Sequence, residues 1–548
     1  MKSIVFLFAG FPTLNAFNRF FDGKSAFDLC LEWAGKIPDC TKIVIAASKV
    51  TEESVNSALK EASVKNFSVD VKETWNTREL ISSIADSAEK EGVDSIVYSM
   101  ADRPFLDAEL SLEVIETHKK YIAEYSCADG YPAGFSPEVI DSGAAKIIKG
   151  LSESAEKSLS EAQVNSESIF NIMKNDLNAF DIEAVVALYD YRLLRLNFSV
   201  SEKINAFACI NLFKLAKEKE VSFTAKELSE LARVNAAVQK TVPAFYNVQT
   251  ALASATFESF SPYHESFKKR YGDYPDYGKK FPVENMSIEE FRTLAAKIAE
   301  LSENAVVSLS FFGDPVTLPE LANYVSAVLE YSGLSVLIET DGVLLTSDIA
   351  ESVANIVNVV PHRTNGMPAV SWIIKLDAFT QEMYDKIHLN SAKYSDGKTA
   401  FEKAKDSIVM LKTLFPSSVY PQFTRLNENE AELEQFYRFW HEKTSPSDGN
   451  VIIQKYDNFC GILPDKKPAD LSPVHRNPCW HLKRDLCILP NGDVPLCREQ
   501  FYDAVIGNVF KDGLETVWEK LSPCLQKQME DSYEGKCGAC DEYYTFNF

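Results

Sequence analysis

The stretch Cys479–Cys497 reads CWHLKRDLCILPNGDVPLC, and Cys537-Gly538-Ala539-Cys540 follows it. Twelve residues separate Cys479 from Gly492, and four more separate Gly492 from Cys497. The middle predicts a hairpin, with Asp485–Leu489 and Val494–Cys497 flanking a Pro490-Asn491-Gly492-Asp493 turn; Asn-Gly between apolar runs is a strong hairpin signal. Two thiols in one short loop can reach a single metal or cluster, and two more from a hairpin complete a four-sulfur site. Seven of the eleven cysteines fall between Cys460 and Cys540, whereas Cys30, Cys40, Cys127 and Cys209 are scattered. An odd count without an exporting segment argues against a disulfide framework, so the cluster of thiols points to a metal or iron–sulfur site. Cys460, Cys487 and Cys524 are left over and read as small buried hydrophobes, with Cys487, just before the turn, placed to substitute as a ligand.

Upstream, short apolar runs alternate with helical patterns. Phe245–Thr250, Val306–Phe311, Leu334–Thr340, Val370–Leu376, Val419–Phe423 and Val451–Gln454 read as strands. Pro319–Tyr331, Asp348–Val357, Ala400–Leu414 and Glu430–Glu442 read as helices between them. Six βα units in succession over residues 241–460 predict a parallel, partly closed barrel, with function at the carboxyl ends of its strands. Those ends carry Gly313-Asp314-Pro315, Thr340-Asp341-Gly342 and Leu376-Asp377-Ala378.

The first 150 residues alternate in the same way. Ile4–Phe8, Lys42–Ala47, Phe67–Val71 and Val93–Ser99 read as buried strands, and Ala26–Lys36, Glu53–Glu61 and Thr77–Glu91 as helices, predicting a doubly wound α/β sheet. The loop after the fourth strand reads Asp102-Arg103-Pro104-Phe105-Leu106-Asp107, where Asp102 is a candidate Mg²⁺ ligand. Residues 151–240 are charge-rich with amphipathic Leu, Ile and Phe spacing and read as a helical connector. Four domains result: 1–150, 151–240, 241–460 and 461–548, in keeping with the usual ~150 residues per domain.

Composition narrows the function classes. Hydrophobic residues make up 46% and charged residues 25%, which excludes wholesale disorder. With 56 basic and 79 acidic residues the net charge is −23, which repels nucleic acid and anionic lipid, and no basic stripe offsets it. No apolar run approaches the ~20 residues of a membrane span. Met1–Gly10 reads as a first strand rather than a signal peptide, since Pro12 breaks the run and no A-x-A site follows. A cytoplasmic location is expected.

Three resemblances follow from these motifs. The Cys-rich tail, with Gly507-Asn508-Val509 and Leu514-Glu515-Thr516-Val517-Trp518, resembles the SPASM domain, the auxiliary-cluster module of radical S-adenosylmethionine peptide-modifying enzymes. The barrel motifs resemble the radical-SAM superfamily, in which such loops hold S-adenosylmethionine. Gly313, Asp314, Thr340, Asp341 and Asp377 would then be a vestigial S-adenosylmethionine pocket. The superfamily's Cys-x₃-Cys-x₂-Cys is replaced here by Ser254, Glu258 and Ser261, hard oxygen donors unsuited to iron–sulfur, so radical cleavage is not expected. The Asp102 loop, with Asp129-Gly130-Tyr131-Pro132, resembles cytidylyltransferases. Bulky Phe11, Pro12 and Leu14 stand where those enzymes need a phosphate loop, so Asp102 is expected to mark a vestigial nucleotide and Mg²⁺ site. Over its length the chain resembles the spiro-SPASM family. The resemblance implies one auxiliary [4Fe–4S] cluster on Cys479, Cys497, Cys537 and Cys540, with a structural, redox or docking role toward a protein or peptide partner. The alternatives are a Cys₄ zinc protein and a transferase acting through the first domain.

Overall fold

The computed structural model describes residues 1–251, 284–311, 313–391, 393–442, 451–461 and 463–544. Ser254, Glu258 and Ser261 lie outside them. The chain divides into two compact units, Met1–Thr241 and Val242–Phe548.

The first unit is built on β1 (Ser3–Ala9), β2 (Cys40–Ser48), β3 (Phe67–Lys72), β4 (Ser95–Met100), β5 (Tyr125–Asp129), β6 (Glu138–Asp141) and β7 (Ile182–Val186), in the order β3-β2-β1-β4-β6-β5-β7. β1 and β4 are buried at every residue, as continuous apolar runs of a covered parallel sheet should be. Helices start where the sequence supplies reciprocal caps: Ser25 with Asp28 before Ala26–Ala34, and Asn76 with Glu79 before Thr77–Glu91. The sheet is mixed. β6 runs antiparallel to both β4 and β5, because the short link from Asp129 to Glu138 cannot hold the crossover a parallel return requires.

Residues 151–240 are part of this unit, not a connector beside it. β7 pairs in parallel with β5 and ends the sheet. Phe198 packs on Phe135 and Phe105, with ring centroids 5.1 and 5.7 Å apart. Cys209, Leu212 and Ala216 of helix Lys203–Glu218 are buried in the same core. Asp107, at the end of the Asp102 loop, caps helix Ala108–Tyr121 and also accepts from the Ala225 amide at 2.6 Å, joining two helix starts.

The second unit holds a fully parallel seven-stranded half-barrel. Its strands are β8 (Phe245–Val248), β9 (Ala305–Ser308), β10 (Leu334–Thr340), β11 (Val370–Lys375), β12 (Val419–Arg425), β13 (Ile452–Lys455) and β14 (Asp485–Ile488), in the order β13-β12-β11-β10-β9-β8-β14. Six are the expected barrel strands. The seventh comes from the Cys-rich tail: Asp485 to Ile488 pair in register with Phe245 to Val248. The tail is therefore sewn into the barrel. The turn at Gly492 forms, with Leu489 N donating to Asp493 O at 2.8 Å. However, β15 (Asp493–Pro495) pairs antiparallel with β16 (Val505–Asn508), while the other arm of the expected hairpin serves the barrel. Gly492 has φ +82°, and a Cβ there would strike the Phe510 ring.

Candidate functional site

At the mouth of the half-barrel, the carboxyl ends of successive strands bring the expected loop residues onto one cavity of about 400 Å³. After β9, Asp314 accepts from the Val316 amide at 3.0 Å and from the Thr340 hydroxyl at 2.7 Å. Thr340 closes β10, and its hydroxyl also accepts from Gly342 N, while Asp341 accepts from Val343 N. After β11, Asp377 accepts from Thr424 N at 2.6 Å and faces His388 Nε2 at 3.4 Å, with the imidazole stacked 4.2 Å from the Tyr384 ring. Gly313, Asp314, Thr340, Asp341 and Asp377 all line the cavity, with the Glu339–Lys375 ion pair between them. Burial, then the Asp341 charge, push the Asp314 carboxyl up to about 7. The arrangement gathers buried carboxyls whose oxygens are held by hydroxyls and amides. It can bind a polar small molecule and hold protons at Asp314.

Thiols from the tail line the same cavity. Cys460, Cys479, Cys487, Cys497, Cys537 and Cys540 line it, drawn from well-separated segments of the tail. Cys479 caps the short helix Trp480–Arg484, and its amide donates to Gln528 Oε1 at 2.8 Å. Cys497 follows β15. Cys537 and Cys540 share one turn, in which Cys540 N donates to Cys537 O at 3.3 Å. Two clamps hold that turn. Arg476 donates to Cys537 O at 2.5 Å and to Gly538 O at 3.3 Å, with its guanidinium between the Tyr533 and Tyr543 rings at 4.2 and 4.5 Å. On the other side, Lys455 at the end of β13 pairs with Asp541 and Glu542, and Lys467 pairs with Asp541. Asp457, Asp541 and Glu542 bring their oxygens close enough to suggest a cation site. Lys455 already supplies the positive charge there, so the group reads as an ion-pair network.

Burial pushes the Cys479 thiol up to about 12 and raises Cys497 as well, with the neighbouring thiols adding to both. Packed thiols resist ionisation together until a cation shares their charge, as a metal or cluster does on binding. Lys483, lowered to about 8 by burial, interacts with Cys479, and Arg476 with Cys537. The donor set is soft sulfur with cations around it, which fits a thiolate-bound metal or cluster. His481, which also lines the cavity, pairs with Asp485 through Nδ1 at 2.7 Å.

The three leftover cysteines are placed differently. Cys487, at the end of β14, is buried and lines the cavity. Cys524 Sγ accepts from Gln528 Nε2 at 3.9 Å, the side chain whose Oε1 takes the Cys479 amide, and Cys460 lines the cavity with the expected ligands. Both were read as packing residues, but Cys460 shares the cavity with the expected ligands and Cys524 meets the side chain that holds Cys479. Spacing gives no sign of this, though the density of cysteines after residue 460 does. Arg476 and Lys455 were also missed, since a lone cation in a loop carries no motif.

In the first unit, Asp102 follows β4 as expected but is buried. Its Oδ2 accepts from Ser201 Oγ at 2.5 Å, and Val200 N donates to its carbonyl. Burial raises its carboxyl above the ordinary range, against the Ser201 hydrogen bond. Phe8, Phe11 and Trp75 pack edge to face at 5.6 and 5.9 Å where a phosphate loop would need open backbone. A Cβ on Gly10 would stand 2.5 Å from Trp75.

Residues 479–541 match the SPASM family, an iron-sulfur cluster-binding domain. Among solved structures, the chain is similar to BtrN in complex with AdoMet and 2-DOIA (14% identity, 56% of this chain, 94% of that one, TM-score 0.33). It is similar to anSMEcpe with bound AdoMet (11% identity, 55% and 88% coverage, TM-score 0.36). It is also similar to a cytidylyltransferase from Leptospira borgpetersenii (13% identity, 42% and 94% coverage, TM-score 0.33). The chain is thus an α/β protein whose tail is a SPASM domain. The chain belongs to the same family as an uncharacterized protein of Treponema pallidum (strain Nichols), to which it is 38% identical over 384 residues, covering 69% of this chain and 98% of that protein. A second uncharacterized protein of T. pallidum is 25% identical over 139 residues, covering 24% of this chain and 64% of that protein. Among the described residues, no helix is long and apolar enough to cross a membrane.

Proposed function

We propose that this chain is a cluster-bearing relative of the radical-SAM enzymes that performs no radical chemistry. It holds one auxiliary [4Fe–4S] cluster on Cys479, Cys497, Cys537 and Cys540, and it offers the adjoining half-barrel cavity to a small polar ligand or a peptide. The observation that carries this reading is the convergence of those four thiols, from separated segments, on the cavity that the strand-end carboxyls also line. When bound, the cluster supplies a one-electron redox centre or a structural cross-link. The chain's own part is to fix the sulfurs. Arg476 and Lys455 anchor the Cys537–Cys540 turn from two sides, Gln528 orients Cys479, and β14 ties the tail to the barrel. On the same cavity, burial and the Asp341 charge raise the Asp314 carboxyl to about 7, and a bound amine or hydroxyl would meet it there.

No cysteine lies between Cys209 and Cys460, so no thiol trio is available after β8 to open S-adenosylmethionine reductively. Incubation with S-adenosylmethionine and dithionite is expected to yield no 5′-deoxyadenosine above a no-enzyme control; detecting it would end this reading. Zinc is the rival for the same four thiolates. Anaerobic purification with an absorption spectrum and iron, sulfide and zinc analysis separates the two. A broad absorption near 400 nm with about four irons and four sulfides per chain supports the cluster, and one zinc without iron refutes it.

A further inference from the structure

Between β15 and β16 the chain turns through Arg498–Ala504, directly after Cys497. Gln500 in that turn donates its backbone amide to Cys497 O at 3.2 Å and its side-chain Nε2 to Cys537 Sγ at 3.7 Å. One residue thus joins two expected ligands that come from separate segments. Gln500 is buried and lines the cavity, and the antiparallel pairing of β15 with β16 fixes where its turn sits. The neighbouring Cys540 Sγ accepts from the Glu542 amide at 3.4 Å, so both thiols of the Cys-x-x-Cys turn face an N–H donor. Gln528, by contrast, presents Oε1 to the Cys479 amide and so holds that ligand by its backbone.

Burying a glutamine amide costs free energy unless its polar atoms find partners. A neutral thiol is a weak acceptor, whereas a thiolate makes a charge-assisted hydrogen bond of roughly twice the strength. The contact from Gln500 Nε2 to Cys537 Sγ therefore reaches its full strength only when that sulfur carries metal. A metal-bound thiolate only accepts, so the amide must present its nitrogen to it, as it does here. Resting on the ligand set proposed above, we infer that Gln500 is a positioning residue of the four-thiol centre: it donates to the Cys537 sulfur when that sulfur carries metal, tightening metal binding and raising the loaded site's affinity for an electron. Hydrogen bonds to ligand sulfur draw negative charge away from the metal. An added electron makes the centre more negative, so the donor favours the reduced form. That electron comes from an external reductant such as dithionite, and no covalent bond of the chain forms or breaks.

The full-length chain, reduced and kept anaerobic, tests this with two variants. Gln500→Leu nearly keeps the volume and loses the donor, and Gln500→Glu sets a carboxylate against the sulfur. Chelator competition should show Zn²⁺ bound about tenfold more weakly by Gln500→Leu, and more weakly again by Gln500→Glu. In the Co²⁺-loaded chain, the sulfur-to-metal charge-transfer band of Gln500→Leu should move to longer wavelength, because a thiolate without its donor gives up charge more easily. In the iron-loaded chain, the midpoint potential of Gln500→Leu should fall by about 59 mV, which is a tenfold change for a one-electron couple. Wild-type Zn²⁺ affinity in Gln500→Leu would overturn the proposal. Weaker affinity with the Co²⁺ band unmoved would overturn it too, since lost packing alone gives that result. Should Gln500→Leu fail to fold, Gln500→Met, unbranched like glutamine and without a donor, carries the same measurements. The readings on which the proposal rests fail separately. Metal retained by Cys479→Ser defeats the ligand set, and zinc in the isolated chain defeats the cluster, while the Zn²⁺ and Co²⁺ measurements on Gln500 still decide its role.

Discussion

Replacing Arg476 with alanine should weaken metal binding without touching a sulfur. The guanidinium donates to two carbonyls of the Cys537–Cys540 turn, at 2.5 and 3.3 Å, and lies between two tyrosine rings. Hydrogen bonds from a charged donor contribute about 1.5–3 kcal/mol each, and each ring contact about 0.5–1 kcal/mol. Taking the lower end for a half-buried group gives an upper bound of about 4 kcal/mol. Water will take up the freed carbonyls in the variant, so the net loss is about 2 kcal/mol, or roughly thirtyfold in metal affinity. The assay is chelator competition for Zn²⁺ in the reduced, full-length chain, which reports on the four-thiol site whatever metal it normally holds. Arg476→Lys should recover little, because an ammonium cannot span both carbonyls and stack as a plane. Wild-type affinity in Arg476→Ala, or full recovery in Arg476→Lys, would refute the claim that this side chain positions the turn.

Asp314 should make the second unit less stable as pH rises. Its folded-state carboxyl is raised to about 7 by burial and Asp341, so the folded chain binds more protons than the unfolded chain between about pH 4 and 7. Stability from this group is full below the unfolded value and is lost as pH climbs through the folded one; the Asp314→Asn variant should show a flatter melting temperature between pH 5 and 8, and an unchanged slope would contradict the assignment. Gly492→Ala, which forces a side chain into a positive-φ turn and against Phe510, should destabilise the tail by about 2–4 kcal/mol and make it protease-sensitive. In the first unit, CTP with Mg²⁺ should bind no tighter than millimolar by calorimetry. Micromolar affinity lost in Asp102→Ala would restore a working nucleotide site.

The parts of this fold that the sequence announces are those coded locally. β1 and β4 are continuous apolar runs buried on both faces, and six half-barrel strands fall close to the apolar stretches that predict them. β7 is hidden because it is a half-exposed edge strand, with Asp181 and Glu183 breaking the apolar pattern. β14 is read as a hairpin arm because its true partner, Phe245–Val248, lies far away in sequence, and local pattern carries no such pairing. The same limit applies to the site. Cys479, Cys497, Cys537 and Cys540 stand out by spacing, and Asp314, Asp341 and Asp377 by following strands. The gathering of Cys460 onto the cavity, the Gln528 link between Cys479 and Cys524, and the Arg476 clamp exist only once distant loops meet.

The central claim is that four particular sulfurs hold one inorganic centre, and counting metal and sulfide per chain across serine variants tests it most directly. Each of Cys479→Ser, Cys497→Ser, Cys537→Ser and Cys540→Ser, purified anaerobically, should lose most of its iron and sulfide. Cys487→Ser and Cys524→Ser should match wild type. If Cys487→Ser or Cys524→Ser empties the site while Cys479→Ser keeps it filled, the ligand set, and the account built on it, is contradicted.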